Sequence, residues 1–294
     1  MKVDITMEEI DESAYVGVDI GGTSTRVGLF QSLDSADFKL IAKFPTEQSY
    51  EQQLGNIIST IERGSIHGYA GVGVSVAGRI GKDGSGVIVA PNLPDYAGKP
   101  FARDLSEHFG CPVRLAHDAV CGLLGEKKFG HMRDFERCAY LTVSTGTGAA
   151  IQLSKGQISL TSSIEIGHQI LDGNTLQCLC GQVGCLETFT GGRQITLRYG
   201  RSPAQITERA FWETFSDKLA LGLVNLAQLT RIDAVAVSGA IALNKAFLVP
   251  LLQQKVDGML RGASLELSVA RLGEEAPLVG AAVLLEVPES AILH

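Results

Sequence analysis

Basic residues are in the minority. The 294-residue chain carries 25 Lys and Arg against 32 Asp and Glu, a net charge of −7. That balance offers no electrostatic footprint for nucleic acid or for an anionic membrane. Long apolar runs are also missing: none reaches the roughly 18–20 residues of a membrane span. The opening stretch MKVDITMEEIDES has no hydrophobic signal region, so export is not expected and a cytoplasmic protein is. Cysteine is sparse. Six in a chain of this length do not make a disulfide scaffold, and in the cytosol they stay reduced. The rest is an ordinary globular composition, 45% hydrophobic and 19% charged, enough for one large domain or two moderate ones.

Glycine is abundant, with 34 residues gathered in short loops. YVGVDIGGTSTRVGLF (15–30) reads as strand, glycine turn, strand. KLIAKFPT (39–46) reads as a third strand. SYEQQLGNIISTIERG (49–64) carries Leu54, Ile57, Ile58 and Ile61 at helical spacing with a glycine stop. A buried strand (69–78), a helix (99–110) and a strand running into a helix (112–130) follow. The second half repeats the theme with CAYLTVSTGTGAAIQL (138–153), a long amphipathic helix (211–230), a strand ending in a small-residue turn (233–241) and a closing helix (276–286). One glycine-turned hairpin per half predicts an α/β protein of two related lobes facing a cleft. The expected lobes are 1–118 and 119–275, with 276–294 packing back on the first.

The turn DIGGTST joins two strands, so it is neither a Walker loop nor a dinucleotide fingerprint, whose glycines open a helix. A tight turn with inward amides still makes an anion nest. Gly21 and Gly22 permit close approach, Thr23 and Thr25 add hydroxyls, and Asp19 ends the preceding strand. A carboxylate beside a phosphate site is unfavourable without an intervening cation, which implies Mg²⁺. STGTG makes the same offer from the other half through Thr145, Gly146, Thr147 and Gly148, and Ser238 and Gly239 form a third small turn. Taken alone, each could be an ordinary hairpin turn.

Half of the cysteines fall within CLCGQVGCLE (178–187). With His168 they supply three thiolates and one imidazole: Cys178, Cys180, Cys185 and His168. Buried free thiols and a redox pair are the alternatives, but the run is dense for a core stretch and the usual redox spacing is C-x-x-C. Four such ligands suit a closed, structural Zn²⁺ site with no open position for catalysis. Asp118 opens the helix after RLAH, where an acid is a favourable helix cap. His67, His108 and His131 carry no motif, Cys111, Cys121 and Cys138 read as core filler, and Trp212 reads as packing.

The segments DIGGTSTRVGLF, VSVAGRI, APNLPDYAGKPF, HDAVCGLLGE, STGTGAA, EIGHQIL, CLCGQVGCLE and VSGAI resemble, in order and over about residues 15–285, the ROK family of sugar kinases within the actin-like ATPase superfamily. The resemblance implies two actin-like (ribonuclease H-like) lobes. It also implies ATP and Mg²⁺ at the glycine turns, and Asp118 as the base that accepts a hydroxyl proton during phosphoryl transfer. Sugar contacts from Asn92, His117, Glu165, His168 and Glu187 follow from it, as does a homodimer. The expected reaction is ATP-dependent phosphorylation of a hexose 6-hydroxyl, of glucokinase type, with N-acetylhexosamine phosphorylation as the alternative. Two further classes are considered. The family's repressors bind DNA through an N-terminal winged helix, for which about fourteen residues before the first strand are too few. A sugar-binding protein without catalysis is kept in view by two departures from the family pattern: His117 stands in place of Asn, and Ala240 in place of Gly. Ser144 also stands where many members have Gly.

Overall fold

The computed structural model describes residues 14–64, 68–90 and 93–294, so Asn92 and His67 lie outside the described residues. In chain order the strands are β1 (Ala14–Ile20), β2 (Ser24–Phe30), β3 (Lys39–Pro45), β4 (Tyr69–Val76), β5 (Arg79–Ile80), β6 (Val87–Val89), β7 (Val113–His117), β8 (Arg137–Val143), β9 (Thr147–Lys155), β10 (Ile158–Ile164), β11 (Ala234–Ser238), β12 (Glu266–Val269) and β13 (Ile292–Leu293). The helices are α1 (Tyr50–Arg63), α2 (Phe101–Phe109), α3 (Asp118–Phe129), α4 (Glu187–Thr190), α5 (Gly192–Tyr199), α6 (Arg209–Thr230), α7 (Ala240–Leu243), α8 (Leu248–Met259) and α9 (Ala276–Val283). Among them none is long and apolar enough to cross a membrane.

The first sheet runs β3-β2-β1-β4-β7 and the second β12-β11-β8-β9-β10-β13. Read from the third strand inward, β10-β9-β8-β11-β12 repeats β3-β2-β1-β4-β7. In both, the first three strands form an antiparallel meander and the last two join in parallel. The duplication is one of topology, with no sequence repeat behind it. β1 buries Val16, Val18 and Ile20 on one face and Gly17 and Asp19 on the other, as expected of a central strand covered on both faces. α1 and α2 close the outer face of the first sheet around Ile57, Ile61, Phe101 and Leu105. α6 and α8 close the outer face of the second around Leu219, Leu223, Leu252 and Val256. Trp212 belongs to this second core, and its Nε1–H donates to the Ile206 carbonyl at 3.0 Å.

The helices that follow the last strand of each unit meet between the sheets. α3 lies on β8 and β9, and α9 lies on β1 and β4, so each covers the other unit's sheet. The contact is close because glycines line it. A Cβ on Gly280 would sit 1.6 Å from the Cys121 carbonyl oxygen, and one on Gly73 would sit 1.7 Å from that of Ala281. Backbone cannot yield as a side-chain tip can. Gly280→Ala is therefore expected to cost about 3 kcal/mol or more, the upper end for overpacking. The check is the denaturant midpoint, which falls in the variant while Gly258→Ala, with open space at its Cβ, changes little.

Candidate active site

β1 and β7 run parallel to the shared β4. The C-terminal ends of all three strands open on one side, where α/β folds carry their ligands. A cleft of about 1160 Å³ lies there. One wall holds Asp19, Gly21, Gly22 and Thr23. The other holds Thr145, Gly146, Thr147 and Gly148. His117, Asp118, Glu165, His168 and Glu187 line the cleft as well, as do Ser238 and Gly239. The folding units thus bring together the sequence-predicted substrate and nucleotide residues that fall within the described segments, with one exception. Thr25 is fully buried behind the turn: its hydroxyl accepts from Gln53 Nε2 at 2.6 Å and shares a hydrogen bond with Thr46 at 2.9 Å. The reason is strand alternation. Arg26 faces the cleft, so its neighbour Thr25 faces the core.

Asp118 is the first residue of α3. Its Oδ1 accepts from the Ala119 N–H at 2.7 Å and lies 3.0 Å from His117 Nδ1. Burial opposes ionisation of the carboxyl, but the adjacent imidazole outweighs burial through charge and hydrogen bonding, and Asp118 is held below the ordinary carboxylate value. Burial likewise disfavours the imidazolium of His117, and Asp118, with Glu165 adding to it, raises that ring's pKa above the usual value. His117 precedes α3 and its Nδ1 lies 3.2 Å from the same Ala119 nitrogen, so the shorter contact at this helix start is the one from Asp118.

Asp19 differs from expectation in its partners. Arg26 Nη2 approaches its Oδ2 at 2.7 Å, and Ser75 Oγ donates to its Oδ1 at 2.8 Å. Burial pushes the Asp19 carboxyl up, with Arg26 and Ser75 opposing. Asp19 therefore has a cationic partner within the chain. The sequence carried the signal: the hairpin register sets Asp19 directly opposite Arg26.

The ligand atoms of His168, Cys178, Cys180 and Cys185 all lie within 4.8 Å of one another. Cys180 and Cys185 sulfurs are 3.7 Å apart and Cys178 Sγ is 3.9 Å from His168 Nδ1. Four ligands about 2.3 Å from a central ion in a tetrahedron stand about 3.8 Å apart, so the donor set fits zinc in distance and in chemistry. Amide donors also aim at the sulfurs: Gln194 Nε2 at 3.2 Å from Cys178 and Gln182 Nε2 at 3.6 Å from Cys180. Such donors favour thiolates. The cluster ends at Glu187, whose Oε2 accepts from the Thr147 N–H at 2.8 Å. The cysteine loop is therefore hydrogen-bonded to the second glycine turn through the acid that follows it. The Thr147 hydroxyl, for its part, is turned to Thr190 at 2.7 Å.

A second cavity of about 470 Å³ adjoins the cleft and shares Ser144, Thr145, Ala240 and Asn244 with it. Leu197, Pro203, Ala204 and Ile241 make it largely apolar, while Arg193, Thr196 and Lys245 edge it with polar groups. The sequence reading missed this cavity. Its walls come from α5, α7 and the Pro203–Gln205 turn, which no local motif connects.

Two topologically matched sheets, each offering a glycine turn to a common cleft, define an actin-like, two-lobed fold. The chain belongs to the ROK family, whose sequence profile matches residues 15–287. It is 31% identical over 201 residues to a glucokinase of Streptomyces coelicolor, a match that covers 66% of this chain and 62% of that protein, less than two thirds of its length. It is 28% identical to an N-acetyl-D-glucosamine kinase of Citrobacter koseri over 92% of this chain and 98% of that one. Its fold is that of the ROK family glucokinase from Streptomyces griseus, solved with glucose and AMPPNP, with a TM-score of 0.77, 24% identity, and coverage of 92% of this chain and 99% of that one.

Proposed function

We propose that this protein transfers the γ-phosphoryl group of ATP to the 6-hydroxyl of an aldohexose, a glucokinase-type reaction. The observation that carries the reading is Asp118. It is an ionised carboxylate in the cleft between two glycine turns, with Oδ1 engaged by Ala119 and His117, which leaves Oδ2 for the hydroxyl proton. Phosphoryl transfer needs positioning and charge neutralisation more than covalent help. The turns at Gly21–Thr23 and Thr145–Gly148 offer amides for the phosphates, and the adjoining cavity, apolar with a polar rim, suits the adenine ring. Mg²⁺ would accompany the nucleotide near Asp19. Zinc held by His168, Cys178, Cys180 and Cys185 has no open position, so it supplies rigidity rather than a reacting site. His168 would face both metal and sugar, and Glu165 and Glu187 would accept from sugar hydroxyls. ADP release measured with ATP and a panel of hexoses tests the reading, and no turnover on any hexose would end it.

An N-acetylhexosamine acceptor is the second reading. It is supported by the nearly full-length likeness to the C. koseri protein. The same panel, with N-acetylglucosamine and N-acetylmannosamine included, separates the two by their kcat/KM values.

His117 gives this base its own pH behaviour. Its positive partner depresses the Asp118 pKa, so the acid limb of kcat in the parent protein is expected below the ordinary aspartate value of 3.8. His117→Asn removes the charge but keeps a polar cap, and the Asp118 pKa rises. The acid limb therefore moves to higher pH. A kcat–pH profile of both proteins, down to the acid edge of stability, checks the shift; superimposable acid limbs would refute the coupling.

A further inference from the structure

The cysteine cluster is closed on three sides and open on the fourth. Cys178 and Cys185 are buried, His168 is half-buried and Cys180 is exposed. Asn174 Nδ2 and Thr188 Oγ1 donate to the Cys185 carbonyl at 3.0 and 2.8 Å, and Gln194 Nε2 stands 3.2 Å from the Cys178 sulfur. Cys180 is covered less. The Gln182 amide beside its sulfur is 3.6 Å away and exposed itself. Cys180 lies at the tip of a turn that the Cys178 N–H closes by donating to the Gln182 carbonyl at 2.8 Å. That tip lines the wide cleft together with Glu165 and Glu187.

Cysteine oxidation follows thiolate character and exposure, and cysteines that sense oxidants often stand beside a resolving thiol. Cys180 meets all three conditions. Metal ligation requires the thiolate, the residue is exposed, and Cys185 Sγ is 3.7 Å away. Bringing the two sulfurs to a bond of about 2.0 Å takes a movement of about 1.7 Å. The tip can make it. Gly181, next to Cys180, has a φ of 95° and open space around its Cβ position, whereas the Cys185 backbone is held by Asn174 and Thr188.

We propose that Cys180 is a site of oxidation by hydroperoxides, that Cys185 resolves it as a disulfide, and that this link loosens the acceptor half of the cleft. The proposal rests on the zinc assignment above for its effect, though not for the link itself. The Cys180 thiolate attacks one peroxide oxygen and the O–O bond breaks, leaving a sulfenic acid on Cys180 and releasing hydroxide or an alkoxide. The Cys185 thiolate then attacks the Cys180 sulfur. The S–S bond forms, the S–O bond breaks and a second hydroxide leaves. Two electrons pass from sulfur to the peroxide, and two protons from solvent complete water or alcohol. Two of four donors are thereby consumed, and Cys178 with His168 are too few for a four-coordinate site. His168 is then released. Its N–H donates to the Glu165 carbonyl at 3.0 Å, so the turn that carries Glu165 loses its anchor.

The test treats the full chain, with its metal content measured, with hydrogen peroxide in the absence and presence of glucose. A chromogenic chelator follows the metal, alkylation and intact mass follow the thiols, and peptide mapping finds the link. A single Cys180–Cys185 disulfide is expected, with one metal released per chain. Glucose affinity should fall about 10-fold or more, as for loss of one charge-assisted hydrogen bond. Dithiothreitol with added Zn²⁺ should restore metal, thiols and affinity. Glucose at about ten times its Kd should slow the linking about tenfold, since only the free protein exposes the tip. Cys180→His keeps a metal donor without an oxidisable sulfur, and should hold its metal through the same treatment. A link that omits Cys180, or a linked protein with the parent's glucose affinity, overturns the proposal. A parent that holds metal and forms no link overturns it and leaves the zinc assignment intact. A parent without metal that still forms the link ends the zinc assignment and leaves the oxidation site standing. A parent that binds no glucose removes the glucokinase reading, while the mapped link still decides the oxidation site.

Discussion

Asp118→Asn is expected to leave a folded, sugar-binding protein whose kcat falls about 10²–10⁴-fold, the usual weight of a general base. The side chain keeps its shape, and its amide oxygen can still accept from the Ala119 N–H that Asp118 Oδ1 engages at 2.7 Å. His117 Nδ1 also stands 3.2 Å from that nitrogen. Stability should therefore change by at most about 1 kcal/mol. What is lost is the ability to take a proton, so the defect belongs in kcat and not in the hexose KM. A purely structural Asp118 predicts the reverse, with turnover near the parent value. Steady-state kinetics on both proteins, with a melt as control, separates these outcomes, and a kcat within a few-fold of the parent would move the search to His117.

The other large effect is expected from the cysteine cluster. Cys185→Ser removes one of four ligands from a fully buried position. On the proposed zinc assignment the variant is expected to lose the metal, and with it the energy a metal lends to the native loop by binding only the folded state. The loop carries Glu187 and anchors beside Glu165, so both candidate sugar acceptors lose their support. Two charge-assisted hydrogen bonds at about 1.5–3 kcal/mol each correspond to a hexose affinity loss of roughly 10²-fold or more. Nucleotide binding should weaken less, through the Glu187–Thr147 hydrogen bond that reaches the second glycine turn. Metal analysis of parent and variant, together with hexose and ATP titrations, measures all three. A parent without stoichiometric zinc, or a variant with unchanged hexose affinity, would refute the assignment.

Much of this was legible in the sequence because the chemistry is local. The hairpin at 15–30, the hairpin at 138–153 and the cysteine run each declare themselves within a window of sixteen residues or fewer. Other features depend on long-range pairing. β10 is partly exposed along most of its length, and its ISLTSSI lacks a continuous apolar face, so nothing local marks it as the counterpart of β3. The second cavity needs α5, α7 and the Pro203–Gln205 turn together. The place of Asp19 at the end of its strand is legible in the sequence, but its partner depends on register. Pairing outward from the Gly21–Thr23 turn sets Arg26 opposite Asp19, which gives that carboxylate a cationic partner at 2.7 Å. Thr25 failed as a phosphate donor for the same reason, one residue out of phase.

The exchange of helices between the sheets bears on how the chain is made. The five strands of the first sheet leave the ribosome early, yet the face that α9 covers at Gly17 and Gly73 stays bare until residues 276–283 emerge. For most of translation the nascent chain carries an unfinished apolar surface, the kind that invites chaperones and aggregation. Closing it joins the far ends of the sequence, a contact of high order that slows spontaneous refolding. A nascent chain stalled just before residue 276 should therefore remain protease-sensitive throughout its first sheet, and release of the last helix should protect the whole in one step.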